Sequence, residues 1–155
     1  DVGSEVGLHE TRWSYASAAA DYDLDGDQDL YVANDYGVNA RWRNDGGRFS
    51  DVTGHAGVAN VPGRGMGASW CDCDDDGLPD LFVTNVDEPN RLYHNRGDGT
   101  FRDVAVKAGV APSVWSTGSC WGDYDRDGDV DLRMLSGDSH HLAAAPGDGA
   151  HIAVR

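Results

Sequence analysis

A nine-residue acidic pattern, D-x-D-x-D-G-x-x-D, occurs three times in this chain at a constant step of 51 residues, and it narrows sharply what the chain can fold into. The first copy places Asp21, Asp23, Asp25, Gly26, Asp27 and Asp29 together, the second Asp72, Asp74, Asp75, Asp76, Gly77, Leu78 and Asp80, and the third Asp123, Asp125, Asp127, Gly128, Asp129 and Asp131. Five carboxylates within nine residues repel one another in water, so the pattern calls for a counter-charge, and a hard dication is the simplest one. Fifteen of the 27 acidic residues lie in these loops. One dication in each would move the formal charge from −15 to about −9, so much of the acidity reads as local ligand charge.

The same balance argues against nucleic acid or an anionic membrane as partner, since both are polyanions. No run approaches the ~20 apolar residues of a membrane helix, and no basic-then-apolar leader is present. The chain does not begin with Met, and it is expected to be a processed product or an excised piece. Three cysteines, Cys71, Cys73 and Cys120, are too few for a disulfide scaffold. With 21 Gly and no long 3.6-residue periodicity, the composition is all-β and rich in turns.

The repeat extends well beyond the acidic loops. Asp1-Val2, Asp51-Val52 and Asp103-Val104 open three units, followed by Val6-Gly7-Leu8, Ala56-Gly57-Val58 and Ala108-Gly109-Val110. An extended stretch then leads into each loop, at residues 12–20, 65–71 and 116–122. Each loop runs into an apolar strand, beginning Leu30-Tyr31-Val32, Leu81-Phe82-Val83 or Leu132-Arg133-Met134, and Asn34, Asn85 and Ser136 follow at equal offset. Third strands are expected over residues 40–43 and 91–94, with a weaker counterpart at 142–145. Gly-rich hairpin turns come next, and fourth strands begin at Phe49, Phe101 and His151.

Four short strands per unit, in units 1–50, 51–102 and 103–155, match one propeller blade of roughly 40 to 50 residues. A closed ring typically needs about four to eight blades. The expected architecture is therefore three four-stranded propeller-type blades with metal-binding hairpin loops, forming an incomplete ring or an open repeat array. Such an array leaves sheet faces to be covered by further repeats or by head-to-tail copies of itself.

Calcium takes six to eight oxygen ligands, and carboxylates on alternate residues of a tight loop converge on one ion. Positions 1, 3 and 5 are Asp21, Asp23 and Asp25, then Asp72, Asp74 and Asp76, then Asp123, Asp125 and Asp127. Position 6 is Gly for a sharp turn. Position 7, at Asp27, Leu78 and Asp129, would offer a backbone carbonyl, which accounts for its varied chemistry. Position 9, at Asp29, Asp80 and Asp131, would complete the shell with both oxygens. An EF-hand needs Glu at position 12 and flanking helices, whereas position 12 here is Val32, Val83 or Met134 within a strand. Magnesium keeps more water and zinc would want His or Cys, so about three Ca²⁺ are expected.

The loop motif, the short apolar strand after it and the later Asn95-Arg96-Gly97-Asp98-Gly99-Thr100-Phe101 turn resemble the FG-GAP/VCBS repeats of integrin α-subunit propellers. The run Phe101-Arg102-Asp103-Val104 with the later Ala108-Gly109-Val110 is similar to secreted and cell-surface proteins that carry an ASPIC/UnbV module. The resemblance covers all three units and implies structural Ca²⁺ on hairpins between the first two strands of a blade. Cys73 departs from the usual aromatic at position 2, the third unit lacks a third-strand aromatic, and the ASPIC/UnbV module itself is absent.

Other candidate sites are thinner. Cys71 and Cys120 fall near equivalent points of neighbouring units, leaving both a bridge between first strands and free thiols open. Cys73 lies between ligand positions and is placed to turn into the core. The pair His140-His141 has no third ligand at useful spacing and reads as a solvated loop. Trp13, Trp42, Trp70, Trp115 and Trp121 read mainly as core, with sugar stacking as the alternative. No catalytic constellation stands out.

The expected function is a non-enzymatic, calcium-binding, extracellular or cell-surface β-repeat protein with a structural or adhesive role, assembling head to tail into a ring or fibre. The alternative is a carbohydrate- or protein-binding module cut from a larger propeller, using residues 34–39 and 85–90.

Overall fold

The computed structural model describes residues 2–61, 63–113 and 115–136, and every element in them but one short helix is a strand. Strands β1 (Trp13–Ala20), β2 (Asp29–Tyr36), β3 (Ala40–Asp45) and β4 (Arg48–Asp51) form one antiparallel sheet in chain order. After the helical turn α1 (Thr53–Ala56), strands β5 (Gly65–Cys71), β6 (Asp80–Asn85), β7 (Arg91–Asn95) and β8 (Phe101–Asp103) repeat that sheet. Strands β9 (Ser116–Gly122) and β10 (Asp131–Ser136) form a two-stranded sheet. The expected strands near residues 142–145 and from His151, like the His140-His141 pair, lie outside the described residues.

Chain order is preserved because each reversal is local. The acidic loops close on equivalent pairs, Ala20 with Asp29, Cys71 with Asp80 and Gly122 with Asp131. The β3–β4 turn uses Gly46 and Gly47 at φ of +62° and +89°, a conformation side chains resist. Each first strand also carries a bulge, skipping Tyr15, Met66 or Thr117, three residues one repeat apart. The Val-to-Gly segment before each first strand is a helical turn. Val6, Ala56 and Ala108 donate amides to Val2, Val52 and Val104, and Gly7, Gly57 and Gly109 stop the turn at positive φ.

The sheets are joined through shared cores. Tyr31 and Ala33 of the first sheet bury with Leu81, Val83, Tyr93 and Phe101 of the second. Phe82 and Leu92 of the second bury with Leu132 of the third, and Met134 packs against them. Strand β6 sits between the two and is buried along its whole length, so its alternate residues serve opposite cores. First strands lie side by side: Trp70 Nε1 donates to Ala18 O at 3.3 Å, Trp121 Nε1 donates to Ser69 Oγ at 3.0 Å, and Ser69 and Ser119 hydroxyls meet at 2.7 Å. A third cluster, Val32, Ala40 and Trp42 with Leu8, Leu30 and Phe49, lies on the first sheet alone.

The structure bears on three of the sequence readings. No bridge joins Cys71 and Cys120, for all three cysteines are free. Ser119 meets Ser69 across the contact between first strands, so the next residue, Cys120, points to the opposite side and is exposed. The tryptophans are also divided. Trp42 is buried and Trp70 and Trp121 pack on the cores, but Trp13 and Trp115 are 76% and 53% exposed. Finally, Asn34, Asn39, Asn85 and Asn90, which flank the loops considered for ligand binding, are fully buried. Asn39 Oδ1 and Asn90 Oδ1 accept the amides of Asn34 and Asn85, so these side chains close their own loops.

Candidate metal centres

Backbone conformation sets up each acidic loop. Position 6 is Gly at φ of +99°, +87° and +101° for Gly26, Gly77 and Gly128. Position 4 is also left-handed, at Leu24 (+60°), Asp75 (+58°) and Arg126 (+67°), although none of these is Gly. Two such turns within three residues curl the chain around the first carboxylate. Asp21 accepts the amides of Asp25 and Gly26 at 3.0 and 2.9 Å, and Asp72 accepts those of Asp76 and Gly77 at 3.1 and 2.9 Å. Asp123 likewise accepts amides from Arg126, Asp127 and Gly128. Asp25, Asp76 and Asp127 each accept the amide of position 7.

The curled loops bring carboxylates together. Ligand atoms of Asp21, Asp23 and Asp25 all lie within 4.8 Å of one another, as do those of Asp123, Asp125 and Asp127. In the second loop the corresponding group is Asp74, Asp76 and His94, and Asp72 is not part of it. The crowding has an electrostatic signature. Burial, and then repulsion from the position 5 carboxylate, hold Asp23, Asp74 and Asp125 above the ordinary carboxyl range. Asp74 Oδ1 is sealed from solvent with no hydrogen-bond partner among the described residues. Such an oxygen calls for a partner of the kind an ion or an ordered water supplies.

Position 9 also ties each loop to its sheet. Asp29 and Asp80 are fully buried and clip the loop to the third strand. Asp29 Oδ2 accepts the Tyr22 amide at 3.3 Å and Oδ1 the Asn44 amide at 2.7 Å. Asp80 Oδ2 accepts from the Cys73 amide and thiol at 3.4 and 2.8 Å, and its Oδ1 accepts the Asn95 amide at 2.7 Å. Asp131 Oδ2 accepts the Tyr124 amide at 3.0 Å. Burial, reinforced by repulsion from Asp23, Asp25 and Asp21, pushes the Asp29 carboxyl up to about 7 against the opposing Asn44 hydrogen bond. Burial and the Asp80 hydrogen bond raise the Cys73 thiol well above its usual range, which makes it a donor and no nucleophile.

Position 7 turns its side chain to the hairpin between third and fourth strands. Asp27 Oδ2 accepts the Gly46 amide at 2.6 Å, and Leu78 Cδ1 lies 3.2 Å from where a Cβ on Gly97 would stand. Gly46 and Gly97 are one repeat apart, so an acid and a leucine cover the same turn by different means. Asp129 Nα is held by Asp127. A candidate side chain that sequence spacing missed is His94. It lies 14 residues beyond Asp80, and its signal was its place beside Asn95, whose counterpart Asn44 follows Arg43.

Comparison with known proteins agrees with this local pattern. A family model described as FG-GAP-like repeat matches residues 21–83 and 72–132. Cartilage acidic protein 1 of Homo sapiens is 43% identical over 83 residues, covering 53% of this chain and 12% of that protein. Cartilage acidic protein 1 of Xenopus tropicalis is 28% identical over 136 residues, covering 85% of this chain and 21% of that protein. The chain thus spans a small part of the curated relatives it matches.

Proposed function

Since this chain belongs to the FG-GAP-like repeat family, we propose that it is a calcium-stabilised, extracellular β-repeat protein of structural or adhesive role, without catalysis. The single observation that carries this reading is the recurrence of three carboxylate-bearing clusters at the same point of three successive sheets. Asp21, Asp23 and Asp25 would hold the first ion, Asp72, Asp74 and Asp76 the second, and Asp123, Asp125 and Asp127 the third. The carbonyls of Asp27, Leu78 and Asp129 and the carboxylates of Asp29, Asp80 and Asp131 would complete the shells. Bound calcium supplies charge neutralisation and ties the loop to itself. The residues fit it: donors are carboxylate oxygens, loop amides already pin position 1, and Asp74 Oδ1 has no competing partner among the described residues.

The four-stranded sheets act as propeller-type blades, each riveted at the hairpin between its first two strands. Extracellular calcium near millimolar concentration suits such sites. No helix among the described residues is long and apolar enough to cross a membrane. Each ion that binds only the folded chain adds stability as RT ln(1 + [Ca²⁺]/Kd). The melting temperature is expected to fall in EDTA and to recover with Ca²⁺ in preference to Mg²⁺. Identical melting curves with and without calcium would refute the reading.

Assembly with further repeats or with copies of the chain is supported by the outer face of the first sheet. Leu30, Val32, Trp42 and Phe49 occupy there the positions that Leu81, Val83, Tyr93 and Phe101 occupy where the second sheet meets the first. Trp13 and Tyr36 form an exposed edge-on pair at 6.4 Å beside that face. Val32 and Trp42 are already buried there with Leu8 packed on them, so head-to-tail stacking into a ring or fibre would add cover chiefly to Leu30, Phe49, Trp13 and Tyr36. A monodisperse monomer by sedimentation at high concentration would exclude assembly of the isolated chain.

A further inference from the structure

Resting on the reading that copies of the chain stack head to tail, we infer which faces meet: the outward face of β10, at Arg133 and Leu135, covers β1 and β2 of a second copy and sets Cys120 of one copy against Ser17 of the other. The two contacts inside the chain fix the register. Alternate residues of a first strand face the preceding and the following sheet. Ser69 faces the third sheet and meets Ser119, their hydroxyls 2.7 Å apart. Cys120 lies one repeat beyond Ser69, and Ser17 two repeats before Ser119. The same contact repeated between copies therefore brings Cys120 and Ser17 together.

Both faces are open at the positions that the internal contacts cover. Tyr15 is 58% exposed, whereas Met66, one repeat on, is buried. Ser17 and Ala19 are exposed, whereas Ala68 and Trp70 pack on the core shared with the first sheet. At the other end, Tyr31 and Phe82 are fully buried while Arg133, third in that series, is exposed. Leu135 is 69% exposed where Ala33 and Thr84 are fully buried. Arg133 has a precedent between sheets. Its guanidinium lies 4.5 Å from the Tyr124 ring centroid, and Arg41 lies likewise over Tyr22, the counterpart of Tyr124, and 4.9 Å from the Phe101 ring. A guanidinium stacked on this tyrosine is thus already buried where the first and second sheets meet, and Phe49 offers a second copy's ring at the place of Phe101. Bulk also balances across the contact. Cys73 shares its core with Trp121, and the contact between copies sets Tyr124 against Ala19, their counterparts. Such a contact is heterologous, so copies add in one direction into a ring or a filament.

The test uses the full chain at high concentration in millimolar Ca²⁺, with glutathione disulfide as oxidant. Hydroxyls in contact at this point put the two side chains within reach of a disulfide. Ser17→Cys is expected to give a ladder of reducible oligomers whose linked peptides join residue 17 to Cys120. The unaltered chain, and Ser17→Cys combined with Cys120→Ser, are expected to give no ladder. Leu135→Asp, at an exposed position, is expected to weaken association at least about tenfold while the melting curve of the dilute chain stays in place. Oligomers in sedimentation without the link from residue 17 to Cys120, or with a link between two Cys120 residues, overturn this interface and leave assembly standing. A monomer at every concentration refutes the assembly reading and the interface with it, and the melting shift in EDTA reports on calcium in either case.

Discussion

At the scale of single residues, the loops are governed by backbone handedness and by crowded charge. Gly77 has open space where a Cβ would stand, so Gly77→Ala isolates the cost of its left-handed conformation. The substitution is expected to cost about 1 to 2 kcal/mol in chemical denaturation. Glycine at position 6 could be read from the pattern. The left-handed Leu24, Asp75 and Arg126 could not, because three unrelated side chains share that conformation and leave no compositional trace. Asp29 allows a pH prediction in EDTA. Its folded carboxyl is raised to about 7 from 3.8, so the proton it retains stabilises the fold fully below the unfolded value and less as pH rises through about 7. Metal-free chain is therefore expected to melt at progressively lower temperature between about pH 4 and 7, and Asp29→Asn to flatten that slope. Arg41 is buried with its guanidinium 3.3 Å from the Tyr22 ring centroid, yet its Nε and Nη2 lack partners among the described residues. One repeat on, Leu92 fills the equivalent position in an apolar cluster. Arg41→Leu is expected to shift the melting temperature by only a few degrees, since losing the Gly99 carbonyl bond and the ring contacts is offset by removing two buried donors that lack partners among the described residues.

At the scale of elements, alternation within strands and glycine in turns placed all ten described strands near their observed positions. Residues 40–43 and 91–94 were expected as third strands and open β3 and β7. The bulges were hidden, because they appear only as a skipped partner in pairing. They matter for the approach of neighbouring first strands. Beside the second bulge, a Cβ on Gly67 would stand 2.7 Å from Thr84 Oγ1 and 3.2 Å from Thr117 O. Gly67→Ala is therefore expected to separate β5 from β9 and to cost about 1 to 3 kcal/mol, measured by denaturant titration. Position 9 was the least readable part of the site. Besides the ligand role expected of its carboxylate, Asp29 and Asp80 each accept hydrogen bonds that join loop to third strand, a partnership 15 residues away that no local spacing reveals.

At the scale of the whole molecule, the sequence period and the cores are out of phase. The period marks one sheet, but each core between sheets is assembled from two of them, as Tyr31 with Leu81 and Phe82 with Leu132 illustrate. Repetition was plain in the sequence, whereas the pairing of opposite faces depends on which alternate residues of β6 point which way. Stability in such an array resides largely in contacts between neighbours. Strand β6 gives this a physical consequence, because a strand shared by two cores has no private way to open. Its amides can meet solvent only when both flanking contacts part together, so their exchange with heavy water reports the breaking of the stack rather than the fraying of a strand.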